Sequence, residues 1–203
     1  SYTLFFIKTN SMKLPYHLTL IFFLFLLLGC QNAKDPSAIA FIEASIEAHG
    51  MTEFNKKSIE FQFRNYRYTQ RQDNQGLIYT RRKNTTPEVL DLLHSKNGFQ
   101  RTLANEKVVL ADSIALVYSE SVNSVLYFFR LPYSLKDTGA IKTLMDTKQI
   151  KGKSYQKIGV HFTSKNGGVD YQDTFRYWFD EQTKTLDYLA YEYFTDAGGV
   201  RFR

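Results

Sequence analysis

The chain has 203 residues, 43% of them hydrophobic and 16% aromatic, with a formal charge of +6. Its one cysteine excludes an intrachain disulfide, thiol pairs and cysteine-based zinc sites, so an apolar core has to hold the fold. The basic excess is mild, smaller still without Lys8 and Lys13, and reads as a solvated exterior.

In chain order, Met12 and Lys13, the apolar run from Leu18 to Leu28, then Gly29 and Cys30 follow the layout of an export signal: charged region, apolar region, small residue at the cut. As a helix that run would span about 16 Å, roughly half of a bilayer's hydrocarbon core, so it predicts a cleaved signal rather than a permanent span. Residues 1–29 are assigned to this signal region, with translation starting at Met12, and residues 30–34 to a tether. Residues 35–203 are expected to form one β-rich domain, truncated at its carboxyl end.

Asp35-Pro36 reads as N-cap and first helical position for a helix with Ile39, Ile42 and Ile46 on one stripe, ended by Gly50. From Ser58 the period becomes two: Ile59, Phe61 and Phe63 alternate with polar residues. Asp73-Asn74-Gln75-Gly76 has hairpin chemistry and leads into a strand from Leu77 to Arg82. Glu88–His94, Phe99–Leu103 and Lys107–Val109 are shorter strands with antiparallel connections. Ala111–Tyr118 reads as a companion helix. Ser121 is placed as the cap of a second helix carrying Val122, Val125, Leu126 and Phe129, which Pro132 ends. Strands return at Tyr155–Phe162, Asp173–Asp180 and Leu186–Phe194, with Ile158, Val160 and Phe162 on one face and Phe175, Tyr177 and Phe179 on another. Gly198-Gly199 marks a turn before a last strand. The order of elements predicts one α+β domain with antiparallel strands.

The tetrapeptide Leu27-Leu28-Gly29-Cys30 resembles the lipobox of bacterial lipoproteins, which implies lipid attached to Cys30 and removal of everything before it. The stretch from Ser119 to Asp137, together with Ala48-His49-Gly50, Tyr171-Gln172-Asp173 and Asp187 through Arg203, resembles a family of uncharacterised lipoproteins from Bacteroidota-type bacteria. That resemblance implies similarity to the lipoprotein-carrier group of LolA and LolB, hence an α+β fold with a curved antiparallel sheet forming an unclosed barrel and helices covering its concave face, and location in the bacterial envelope, facing the periplasm or in the outer membrane.

Catalytic signatures are missing from the sequence. His49, His94 and His161 show no paired metal spacing, and no nucleophile elbow, P-loop or dinucleotide fingerprint occurs. Glu120, Asp137, Asp173 and Asp187 are the acids from which a carboxylate pair could come. No enzyme, metal or cofactor is therefore expected. Phe63, Arg64, Tyr66, Arg67, Tyr68 and Arg71 interleave aromatic and basic residues, but export argues against nucleic acid, and they read as the outer face of a strand. The 17 Phe and 14 Tyr supply a core and, if a gap remains, a pocket for an apolar ligand such as an acyl chain. Its candidate lining is Ile59, Phe61, Phe63, Val125, Leu126, Phe129, Phe175, Tyr177 and Phe179. The alternative partner is a protein of an envelope complex, and the membrane is expected to be reached through the lipid on Cys30.

Overall fold

A computed structural model describes residues 35–163, 172–193 and 199–202. They belong to the unit Lys34–Arg203; the other unit, Ser1–Ala33, and with it the signal region and Cys30, lies outside the described residues. So do Tyr171, Phe194, Gly198 and Arg203.

The first helix, α1 (Pro36–Ala48), starts where a cap and a proline put it: Asp35 accepts from the backbone N–H of Ser37 and Ala38. It stops at Gly50, which takes φ +66° while Met51 N–H returns to the Ile46 carbonyl. A left-handed residue closing that bond suits glycine. Then come β1 (Ile59–Phe63), β2 (Tyr66–Asp73), β3 (Gly76–Lys83), β4 (Val89–His94), β5 (Gly98–Leu103) and β6 (Glu106–Val108), an antiparallel meander paired in chain order. The second helix, α2 (Asp112–Phe129), interrupts it. After a short 3-10 turn at Tyr133–Lys136, a second antiparallel sheet follows in the order β11 (Gly199–Phe202), β10 (Leu186–Tyr193), β9 (Thr174–Asp180), β8 (Lys153–Phe162), β7 (Ala140–Ile150).

The fold is thus α+β, with two unclosed antiparallel sheets of six and five strands and two helices. The expected α+β class with unclosed antiparallel pairing is present, its strands forming one sheet before α2 in the chain and one after it. Three expectations need correction. The segment 111–129 is one helix, not two, and Ser121 sits inside it rather than at a cap; the β-branched residues near its start do not break it. The segment 58–73 is two strands, turned at Arg64, whose φ of 55° is a conformation glycine usually supplies in hairpins. Strand β7 carries no clean alternation, because its register shifts between Leu144 and Thr147, and it was not anticipated.

Each sheet has its own core. Ala38, Ile42 and Ile46 of α1 pack on Ile158, Val160, Phe175, Tyr177 and Phe179 of the second sheet. Val122 and Leu126 of α2 pack on Tyr68 and Tyr79 of the first, with Phe61, Leu93 and Phe99 around them. Helix α2 joins the two cores: from its last turns Tyr127 and Phe128 reach Phe162, Phe175 and Tyr191 in the second sheet.

Candidate functional site

Of the nine residues proposed as a lining, six fall into these two cores, three in each. Phe175, Tyr177 and Phe179 belong to the second sheet, and the last two have no exposed surface. Phe61, Val125 and Leu126 belong to the core under α2, where Leu126 is fully buried. Ile59 sits half-buried on β1. Phe129 and Phe63 differ from the rest, being 41% and 44% exposed.

Those two mark an aromatic strip at the open edge of the first sheet, where β1 pairs only with β2. Phe129 stacks on Phe61 with centroids 3.9 Å apart, and Phe61 stacks on Tyr68 at 5.4 Å. On its other side Phe129 meets Phe54, which meets Tyr133 at 5.9 Å. The strip ends at Arg130, the C-cap of α2. Its guanidinium lies over the Tyr79 and Tyr133 rings, donates to the Tyr79 hydroxyl and, at 2.6 Å, to Asn55 Oδ1. Every partner it has among the described residues is neutral, and its buried Nε has none. The Oε1 of Gln70, fully buried beside Tyr68 and Tyr79 on the same sheet, is unpaired too. A cation set among aromatics without a carboxylate retains most of its charge for an incoming anion.

A second group of polar residues lies under the N-terminal half of α2. Asp91 on β4 accepts from Arg81 Nε and Nη2 at 2.9 and 2.7 Å and from Arg101 Nε and Nη2 at 2.6 and 2.9 Å. Arg81 also donates to Ser121 Oγ at 2.6 Å, and Arg101 lies 3.4 Å over the Tyr118 ring. The two guanidiniums therefore grip one carboxylate and the underside of a helix. Sequence reading missed this group, although its members recur at a ten-residue step, Arg81, Asp91, Arg101, which a meander of short hairpins stacks on one face.

The interleaved stretch from Phe63 to Arg71 is split by the strand period. Tyr66 and Tyr68 turn to the helix side, while Arg67 and Arg71 face away, so the reading of one mixed outer face is corrected. On that outer face Glu60, Arg67, Thr69, Arg71, Thr80, Arg82, Asn84, Glu88, Leu90 and Leu92 enclose a hollow of about 610 Å³.

The histidines among the described residues have structural partners or face solvent. His49 Nε2 accepts from Leu186 N–H at 3.0 Å, tying the end of α1 to β10. His94 Nδ1 accepts from Lys96 and Asn97 N–H, and His161 is exposed. Among the described residues no group of three His, Cys, Asp or Glu could hold a metal. Of the four acids, Asp187 accepts from the hydroxyls of Tyr155 and Thr185, and Asp137 from Gly139 N–H; Glu120 and Asp173 are engaged as well. Burial pushes the Tyr127 phenol up to about 12 and raises Tyr177, so this buried pair, 3.3 Å apart, stays neutral at ordinary pH. No helix among the described residues is long and apolar enough to cross a membrane.

The chain belongs to the family of unknown function DUF6503, which matches residues 17–203. No curated protein matches it. Among solved structures it is similar to the lipoprotein LppX of Mycobacterium tuberculosis, at 15% identity and a TM-score of 0.36, over 83% of this chain and 93% of that one.

Proposed function

For this member of a family of unknown function, we propose a lipid-anchored protein of the bacterial envelope, held by an acylated Cys30, whose domain carries an apolar ligand with an acidic head, such as a fatty acid, and performs no catalysis. One observation carries this reading. Phe129 and Phe63 leave aromatic surface uncovered at an open sheet edge, with Phe61 stacked under Phe129, beside an Arg130 that has no anionic partner among the described residues. An acyl chain laid on that strip would shed water at about 0.8 kcal/mol per buried methylene, so ten methylenes supply about 8 kcal/mol before ordering costs. The carboxylate would find the Arg130 fork.

The test uses the full chain with Cys30→Ser, so that its own acyl group is removed. Extraction and mass spectrometry are expected to find bound lipid, and a fluorescent fatty acid to bind. Phe129→Asp, at a half-exposed position, should weaken that binding at least tenfold. Arg130→Gln should erase the preference for a fatty acid over the matching alcohol. A lipid-free chain that takes up no probe ends the proposal. The anchor is checked separately, by a diacyl or triacyl mass increment that disappears in Cys30→Ser.

A second reading, docking into an envelope complex, rests on the other half of α2, where Ile114, Leu116 and Val117 are 45%, 45% and 63% exposed. Recovery of a stoichiometric protein partner that Val117→Asp abolishes, with no co-purifying lipid, would favour it.

A further inference from the structure

The outer face of the first sheet, turned away from α2 and from the aromatic strip, has its own organisation. Solvent-facing strands normally offset like charges by placing opposite ones across from them. Here Arg67 on β2 and Arg82 on β3 are direct cross-strand partners, and Arg71 lies on the same face of β2. Arg67 is held by Glu60 and Arg82 by Glu88, each by a single contact of 3.2 Å between half-exposed groups. Such contacts are weak and screened by salt. Arg71 has no hydrogen-bond or ion-pair partner among the described residues, and like-charged neighbours gain nothing from their own juxtaposition.

What surrounds these guanidiniums is a container. They form part of the rim of the hollow of about 610 Å³, a volume that suits a small organic ligand. Between them Thr69 and Thr80 are cross-strand partners whose hydroxyls are hydrogen-bonded to each other. One hydroxyl proton is used in that bond, which leaves the second free to donate into the hollow. On the β4 side Leu90 and Leu92 replace the charges with apolar surface. The site therefore has a cationic half and an apolar half.

From this we infer a binding site for a phosphate ester, with the phosphate between Arg67, Arg71 and Arg82 and its organic part on Leu90 and Leu92. Phosphate fits better than carboxylate because three guanidiniums and a threonine hydroxyl line the hollow together. A tetrahedral phosphate has oxygens for two forks and a hydroxyl at once, whereas the two oxygens of a carboxylate are taken up by two forks, as they are at Asp91. Glu60 and Glu88 keep the net charge of the hollow low, which favours a small anion over a long polyanion. The chemistry is shared by a free phosphate ester and by a phospholipid headgroup. The inference is independent of the fatty-acid reading, since the two sites lie on opposite faces of one sheet.

The test is calorimetric titration of the full chain carrying Cys30→Ser with glycerol 3-phosphate, alongside co-sedimentation with vesicles of phosphatidylglycerol and phosphatidylcholine against phosphatidylcholine alone. Saturable binding of glycerol 3-phosphate identifies a soluble ligand, and binding to the phosphatidylglycerol vesicles alone identifies a headgroup. In either case Arg71→Ala and the pair Arg67→Ala with Arg82→Ala should weaken binding at least tenfold. Arg82→Lys should weaken it less, because the charge remains while the fork is lost. Lys107→Ala, exposed on the same sheet face but outside the hollow, should leave it unchanged. If the double variant proves misfolded by its melting midpoint, Arg71→Ala decides alone, since no internal contact depends on it. The inference is overturned if neither probe binds, or if Lys107→Ala costs as much as Arg71→Ala.

Discussion

Asp35 joins two levels of the structure with one side chain. Its Oδ1 caps α1, and its Oδ2 accepts from Leu144 N–H on β7 at 2.9 Å, 109 residues away. That bond to Leu144 leads the causes that hold its carboxyl below the usual range. Asp73 is lowered in the same way by Gln75 N–H and Asp180 by Thr183 N–H, at the turns they close. A depressed folded value means that the stabilisation is complete above the unfolded value near 3.9 and fades as pH falls through the folded one. The acid limb of stability should therefore lie below about pH 4. Asp35→Asn keeps an oxygen for the cap but turns an amide toward Leu144 N–H, so it should lower the melting midpoint at pH 7 and flatten the acid limb. Asp35→Ala should lower it further. Equal midpoints for wild type and Asp35→Ala across pH 3 to 7 would show that the cap holds nothing. The cap was readable from Asp35-Pro36; the bond to β7 was not, because nothing local in the sequence announces a partner so distant.

At the scale of elements, α2 is held to the first sheet by a buried carboxylate shared between two arginines, Arg81 and Asp91 being almost fully enclosed. Removing the anion leaves two cations facing each other under a helix. Asp91→Ala should cost about 3–5 kcal/mol, whereas replacing Arg81, Asp91 and Arg101 together by Met, Leu and Met should stay within about 1 kcal/mol of wild type or exceed it. Urea unfolding with linear extrapolation measures both. A small loss in Asp91→Ala would mean that apolar packing of Val122 and Leu126 alone fixes the helix. The legibility of the elements follows their periodicity. Phe175, Tyr177 and Phe179 alternate cleanly because β9 turns one face to the core, and Ile158, Val160 and Phe162 keep the same period on β8, although Gly159 between them is buried too. Strand β7 was illegible because a register shift breaks its period, and the β1 to β2 turn because arginine stands at its left-handed position. The candidate lining divides between the two sheets for another reason. Period tells which side of its own strand Phe61 or Phe179 occupies, but not that the two strands belong to different sheets.

At the scale of the whole described unit, the two sheets share no strand, and α2 is the element that enters both cores. Val122 and Leu126 close the first while Tyr127 and Phe128, one and two residues beyond Leu126, enter the second. Unfolding of either sheet strips one side of the same helix, so the free energies of the two should be coupled rather than additive. The chain carries its own reporter for this. Its single tryptophan, Trp178, lies on β9 in the second sheet, whereas Asp91 lies on β4 in the first. The midpoint of urea unfolding followed by Trp178 fluorescence should coincide with that followed by far-ultraviolet circular dichroism, which sees both sheets. Asp91→Ala should lower the fluorescence midpoint as far as the dichroism midpoint, although no group it touches is in the second sheet. Leu126→Ala, which removes about 2–5 kcal/mol of packing on the first sheet alone, should do the same. If instead the fluorescence transition stays at its wild-type midpoint while dichroism gains an earlier phase, the second sheet with α1 is a folding unit of its own, and α2 rests on it without binding the two together.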